Sequence, residues 1–500
     1  MASLLKLKNM RYKKVSYASF ANGINVDYDE NLTPVKYSKL TYNFNYKNGA
    51  LIKGLGVDAN LVFHHNTKYP EYTKTLVIAD DMNVQSAGLY RYVEETYGMD
   101  LSRLVFYCSD GTLKYNYVHA DETTIREIND VNFTSPPLMF NYQLNGQCCL
   151  IATTPKDGMW VISSSGNYKV ENTPKITSLC LHYERLFVTV ENDKSAVWFS
   201  DDLDPTNWTV DNSQAGFIKM YDDRGDVIKV VSFNDYVYIF REYGITRLTA
   251  YAKQEEFDLT NLFVSSGRIY KNSITICGDR IMFLASDGLY VFNGSSTSKV
   301  ELNIDNLFST RPNLNCVSAF HDGYYYLACN LDFNDKHNKI VGSEEDMPYE
   351  NNALIQINIS TGELSIARGV NIVSLNPVCT RSFNCMLASV KTTKDTYRLG
   401  VVNNCGKIFE TPTLKYWKSP YSDFGLPNAS KLIKELYFNC DGEVTVYINI
   451  DGKTYAYNTF DSVGDLRKLK VNLRGFKIAI DFESNSEDVV ISNPQAIIGY

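Results

Sequence analysis

Apolar and polar positions alternate along this chain in short runs, and the runs return. Strands of β-branched and aromatic residues flank a tight turn at residues 175–189 (KITSLCLHYERLFVT), 228–240 (IKVVSFNDYVYIF), 273–283 (SITICGDRIMF) and 316–328 (CVSAFHDGYYYLA). The unit recurs about every 40 to 50 residues, the length that four strands and their turns require, and self-similarity at this period marks a β-propeller. Weaker copies lie at 103–106 with the turn Ser109-Asp110-Gly111, at 141–151 around Asn145-Gly146, and at 380–389 around Phe383-Asn384. Residues 283–292 add a second hairpin about Ser286-Asp287-Gly288. Asp-Gly and Asn-Gly tolerate the positive φ of type I′ turns, which makes them strong hairpin signals. Together the copies predict about six or seven blades.

Three other regions differ in texture. Residues 1–60 form an N-terminal arm, and its Asn48-Gly49 turn between alternating strands predicts that it adds strand to the propeller. The propeller itself is expected over 61–412, with the polar run 335–352 as a loop inserted in a blade. Residues 413–430, rich in Pro and aromatics, read as a linker. Beyond it, 431–500 alternates at period two, with strands expected at 443–450, 454–457, 466–473 and 476–482. Turns are expected at Asp441-Gly442, Asp451-Gly452 and Arg474-Gly475. The expectation is an all-β fold: a six- or seven-bladed β-propeller followed by a small C-terminal antiparallel β-sandwich or barrel.

Composition narrows the function classes. The 36 Tyr and 25 Phe suit pleated strands, and no long 3.6-residue period is present. A net charge of −8 argues against a dedicated nucleic-acid reader, which would carry a basic face. The one dense basic cluster, Lys6, Lys8, Arg11, Lys13 and Lys14, reads as a solvated arm. No stretch of 18 apolar residues predicts a membrane span, and the first residues lack the features of a secretory signal, so synthesis in the cytosol is expected. Eleven scattered cysteines are expected to be reduced.

The search for chemistry assigns no catalytic, cofactor-binding or metal residue. P-loop, Rossmann and zinc spacings are absent, and the adjacent His64 and His65 would point to opposite faces of a strand. Propellers host glycosidases, and the segment 200–208 (SDDLDPTNW) has the look of an Asp-box turn. Its Trp lies one residue too far along, an acidic residue and Pro205 stand where the box has Gly, and it occurs once; a Pro-containing loop packed by Trp208 is the expected reading. Trp417 and Tyr421 are likewise expected to pack at a domain junction.

One resemblance covers most of residues 15–310. Phe20-Ala21-Asn22-Gly23-Ile24-Asn25, the Pro34 spacer and 43–56 resemble the opening of the tail nozzle or hub proteins of short-tailed bacteriophages, also called packaged-DNA-stabilisation or tail-tube proteins. Residues 185–190, Ala196-Val197-Trp198-Phe199-Ser200, Asp204–Trp208, Gly267-Arg268-Ile269, Asn272-Ser273, Gly278-Asp279, Phe283-Leu284 and 287–294 resemble the same family. The resemblance implies a virion component assembled in the host cytoplasm. It would be a homo-oligomeric ring, most simply a hexamer, that extends the portal and adaptor, meets other tail proteins, and retains and conducts double-stranded DNA without sequence-specific binding. It implies no cofactor and no enzymatic activity. A glycan-binding or glycan-cleaving phage protein is the alternative expectation.

Overall fold

The computed structural model describes residues 11–16, 20, 23–29, 33–34, 37–64, 73–94, 99–211, 213–251, 254–308, 312–333 and 350–500. Seven antiparallel sheets follow one another along the chain. Blade 1 holds Val84–Tyr90, Arg103–Cys108, Thr112–Tyr117 and Arg126–Asn132, and blade 2 holds Leu138–Leu144, Gln147–Thr154, Gly158–Ser163 and Gly166–Val170. Blade 3 comprises Ile176–His182, Arg185–Val190, Ala196–Phe199 and Gly216–Lys219; blade 4 comprises Val227–Phe233, Tyr236–Arg241, Gly244–Thr249 and Asp258–Val264. Blade 5 runs Thr275–Cys277, Arg280–Ala285, Gly288–Phe292 and Thr297–Lys299, and blade 6 Val317–His321, Tyr324–Cys329, Ala353–Asn358 and Leu364–Arg368. Blade 7 takes Ile372–Cys379, Asn384–Lys391 and Tyr397–Asn403 from late in the chain and Gly56–Asp58 from its start. First strands of blades 1 and 2, 3 and 4, 5 and 6, and 6 and 7 touch one another, and that of blade 7 touches that of blade 1, so the blades come full circle.

The second strand of each blade explains the visible repeat. Arg185–Val190 is buried throughout, and Arg103–Cys108, Tyr236–Arg241, Arg280–Ala285 and Tyr324–Cys329 are buried at all but their first residue. A strand covered on both faces by adjacent blades reads as a continuous apolar run rather than as an alternation. The outermost strands, such as Arg126–Asn132 and Asp258–Val264, face solvent and lose that signal.

The N-terminal arm departs from expectation. Among its described residues only Gly56–Asp58 adds a strand to the propeller, pairing Tyr397–Asn403 and closing blade 7. Gly56 is obligatory there, because a Cβ would stand 2.1 Å from the Lys407 carbonyl oxygen. The Asn48-Gly49 hairpin, Phe44–Lys47 with Ala50–Lys53, pairs instead with Val490–Gly499. The strands Asn60–His64 and Thr73–Val77 form a separate hairpin, whose Leu61, Phe63 and Leu76 fill the core between blades 7 and 1.

The second domain is therefore a composite of both ends of the chain. Its nine-stranded sheet combines Tyr12–Ser16, Leu40–Tyr42 and the Phe44–Lys53 hairpin with Lys415–Lys418, Lys431–Ile450, Lys453–Gly475, Ile478–Ser484 and Val490–Gly499. The expected linker 413–430 is thus corrected: Lys415–Lys418 is a paired strand within this sheet. The expected turn at Asp441-Gly442 is also corrected. It is an irregularity within Lys431–Ile450, where Gly442 takes φ 81° and the register against Lys453–Gly475 shifts. Beyond it the long strand changes partners, from Val490–Gly499 to Ile478–Ser484, so one hairpin serves both layers of a nearly closed barrel. Tyr457 donates to the Val471 carbonyl of its own strand, which shows how far that strand bends back. Phe438 stands 5.4 Å from both Phe460 and Phe482 in the core, and Trp417 packs at 5.1 Å against Phe20.

Polar staples join the two domains. The Asn43 side chain donates to Arg368 and Leu414 carbonyls at 3.1 and 2.7 Å and accepts the Arg368 N–H at 2.7 Å. Lys415 is fully buried and donates to the carbonyls of Gly406, Thr413 and Ser486 at 3.1, 3.1 and 2.7 Å. Burial pulls its ammonium down to about 8. The polar run 335–349, Lys6, Lys8, Ala21, Asn22, Leu32 and His65 lie outside the described residues.

Candidate functional site

Two ends of the propeller axis offer different chemistry. At the end where first strands begin, Lys229 of blade 4 donates to the Ile274 carbonyl and Lys271, in the turn entering blade 5, donates to the Thr177 carbonyl of blade 3, both at 2.6 Å. Burial lowers each to about 8, and the positive charge of Lys271 adds to the effect on Lys229. Neither ammonium forms an ion pair with a described residue. Hydroxyls continue the belt: Thr275 and Ser318 oxygens lie 2.6 Å apart, and Ser318 donates to the Asn272 carbonyl. Towards blades 6, 7 and 1 a cavity of about 210 Å³ opens between Gln85, Pro136, Glu350, Val373, Ser374 and Tyr397, with Glu350 paired to Lys391 at 2.6 Å.

At the opposite end, the turns that follow the first strands meet. The turn of blade 3 is Tyr183-Glu184 and that of blade 4 is Asn234-Asp235. Tyr183 takes φ 50° and Leu203, in the connection after Ala196–Phe199, takes φ 57°. A bulky side chain in this left-handed region costs about 1–2 kcal/mol relative to a favoured conformation. Both residues are held there by contacts: Leu203 N–H donates to the Glu184 carbonyl at 3.0 Å, and Tyr142 Oη donates to the Leu203 carbonyl at 3.3 Å. The Tyr183 ring lies 4.4 Å from His182 and 6.1 Å from Tyr251. Nevertheless Tyr183, Leu203 and Tyr251 are 55%, 65% and 43% exposed. Strain that serves packing would bury the side chain, and here it displays it.

Carboxylates ring this patch. Glu184 and Asp235 are exposed, Asp202 is half-buried, and none of the three forms an ion pair with a described residue. Burial, followed by the negative charge of Asp204 and more weakly of Asp202 and Glu184, pushes the Tyr142 phenol up. Burial, neighbouring Tyr236 and Tyr183, and the charge of Asp235 push Tyr251 up in the same direction.

The box-like segment 200–208 contributes Leu203 and otherwise satisfies itself. Asp201 accepts the N–H groups of Asp202 and Gln214, both at 2.9 Å, and the Asn207 amide at 2.8 Å; Asp204 accepts the N–H and hydroxyl of Thr206 at 2.9 and 2.6 Å. Trp208 is buried against blades 2 and 3, matching the reading of a loop packed at its end. Among the described residues no three His, Cys, Asp or Glu side chains group as metal ligands, and no helix is long and apolar enough to cross a membrane.

The signal for Tyr183 was present in the sequence. The other short first-strand turns carry Asn145-Gly146, Asn234-Asp235, Gly278-Asp279 and Asp322-Gly323, whereas blade 3 places Tyr-Glu where such residues belong. The lysine pair had no comparable signal, because its members and their acceptors come from three blades.

All eleven cysteines are free, and Cys379 alone is exposed. Burial raises the thiols of Cys108 and Cys149 to about 11 and those of Cys180, Cys277 and Cys316 to about 12, from an ordinary 9.0. A group whose folded-state pKa is raised contributes stability that is complete below the unfolded value and is lost as pH climbs through the folded one. The melting temperature is therefore expected to fall between about pH 9 and 12. A native thiol titration at pH 8 is expected to show one rapidly reacting thiol, abolished by Cys379→Ser, and eleven in denaturant; several fast thiols would contradict this packing.

No protein-family model matches the chain, and no curated protein matches it. Solved structures of similar shape include BBS1N in complex with ARL6DN, at 10% identity over 66% of this chain and 96% of that one with a TM-score of 0.40. BamB from Moraxella catarrhalis matches at 10% identity over 71% of this chain and 95% of its own, with a TM-score of 0.34. Hsv2p of Kluyveromyces lactis matches at 12% identity over 66% and 97%, with a TM-score of 0.33.

Proposed function

We propose that this chain is a structural component of a phage virion tail, a nozzle or hub subunit that forms a closed ring extending the portal and adaptor channel. The observation that carries the reading is the resemblance of residues 15–310 to that family. The architecture is compatible with such a load. The Gly56–Asp58 strand closes the propeller, and strands from both ends of the chain pair within one second-domain sheet, so neither end can be pulled free without breaking strand pairs.

The ring most simply holds six copies joined by heterologous contacts, because only a rotation that closes avoids an open filament. Its lumen is lined by acidic and neutral polar groups, since each Lys or Arg contact to phosphate adds salt-dependent affinity, and several per subunit around a ring would arrest the genome. The net charge of −8 per chain accords with that. The chain works as a conduit, with no catalytic step of its own. We place channel or subunit contacts on two polar loops, of which 335–352 lies largely outside the described residues and 201–207 gives Asp202 and Leu203 to the axial patch.

Sedimentation velocity with and without the adaptor complex tests this. A shift from monomer to a closed oligomer on adding adaptor is expected, with duplex DNA binding too weak to detect at 0.15 M salt. A chain that stays monomeric with adaptor present would contradict the proposal, as would hydrolysis of host surface polysaccharide abolished by one Asp or Glu substitution.

A further inference from the structure

We infer that the axial patch of Tyr183, Leu203 and Tyr251 docks a basic segment of another protein, its Arg or Lys side chains lying against the tyrosine rings within the carboxylate rim. Two observations converge on this patch. Its apolar side chains are displayed rather than packed, at 55%, 65% and 43% exposure. Two of them occupy left-handed backbone that asparagine or glycine would take more readily, so the sequence has kept bulky groups where folding disfavours them. Exposed apolar groups rimmed by polar ones mark interaction sites.

The rim selects the partner. Glu184, Asp202 and Asp235 form no ion pair with a described residue. A cation brought over a tyrosine face gains from the ring quadrupole as well as from the carboxylates. Arg suits this best, because its planar guanidinium stacks on aromatic rings while donating to carboxylates. Duplex DNA is repelled by the same groups, so this end of the axis faces protein rather than nucleic acid. The contrast with the other end is local and concrete, for there Lys229 and Lys271 have no carboxylate partner among the described residues.

Docking at this patch does not depend on ring formation. A display library of 12-residue peptides is panned on the full chain, with counter-selection on the Tyr183→Asn/Leu203→Asn variant. The recovered peptides are expected to be enriched in Arg and Lys, to bind the variant at least tenfold more weakly, and to bind Glu184→Lys/Asp235→Lys more weakly still. Raising salt is expected to weaken binding to the wild type. Because asparagine accepts the left-handed conformation, the melting temperature of the first variant should equal or exceed that of the wild type, which separates lost docking from lost folding. The inference fails if no variant-sensitive peptide is enriched, or if the enriched peptides lack basic residues. It also fails if maltotriose or chitotriose binds the wild type and not the variant. A failed panning in a chain that still assembles with adaptor removes the docking site and leaves the ring reading intact.

Discussion

Removal of residues 1–58 is expected to leave a chain that does not fold. The deletion takes Gly56–Asp58 from blade 7 and four strands from the nine-stranded sheet, so a propeller edge and a barrel wall open together. The buried side chains lost include Phe20, Tyr42, Phe44, Leu51 and Val57. At about 1.5–3 kcal/mol for each large apolar side chain withdrawn from burial, the loss matches the whole stability of an ordinary domain. Gly56→Val is the sharper version, because its Cβ would collide with the Lys407 carbonyl and displace the closing strand. Circular dichroism and solubility after expression check both. A truncated chain with a cooperative melt near that of the wild type would show that the N-terminal strands are accessory.

The second large effect is expected at Lys415. Its ammonium reaches the Gly406 carbonyl on the propeller side and the Ser486 carbonyl of the second domain. Lys415→Met keeps most of the apolar stem and removes the donor. Gly406 retains the Thr413 hydroxyl and N–H as donors, so the loss falls on the Thr413 and Ser486 carbonyls. At about 1–3 kcal/mol for each of these two buried groups left unsatisfied, destabilisation of about 2–6 kcal/mol follows. Calorimetry is expected to show a lower melting temperature and separation of the propeller and barrel transitions. An unchanged single transition would mean that the staple contributes little.

The propeller was legible in the sequence for a physical reason. Strands such as Arg185–Val190 and Arg280–Ala285 are covered on both faces, and their apolar runs recur with Asn, Asp or Gly turns between them. The destination of the N-terminal strands was not legible. Phe44–Lys53 alternates as a hairpin should, but alternation names no partner, and its partner lies more than 400 residues away at Val490. Asp441-Gly442 misled because the same dipeptide serves a hairpin turn and a bulge, and local sequence does not separate them. The patch at Tyr183 was hidden for the opposite reason. Its turn is anomalous within the repeat, but Leu203 and Tyr251 reach it only through the folded connections of blades 3 and 4.

Electron cryomicroscopy of intact particles, with this chain located by its fold, tests the central claim most directly. A closed ring of six copies is expected below the portal and adaptor, each with a seven-bladed propeller, around a DNA-filled lumen without a lining of Lys and Arg. Absence of the chain from the particle, isolated copies at the periphery, or a strongly basic inner surface would contradict it.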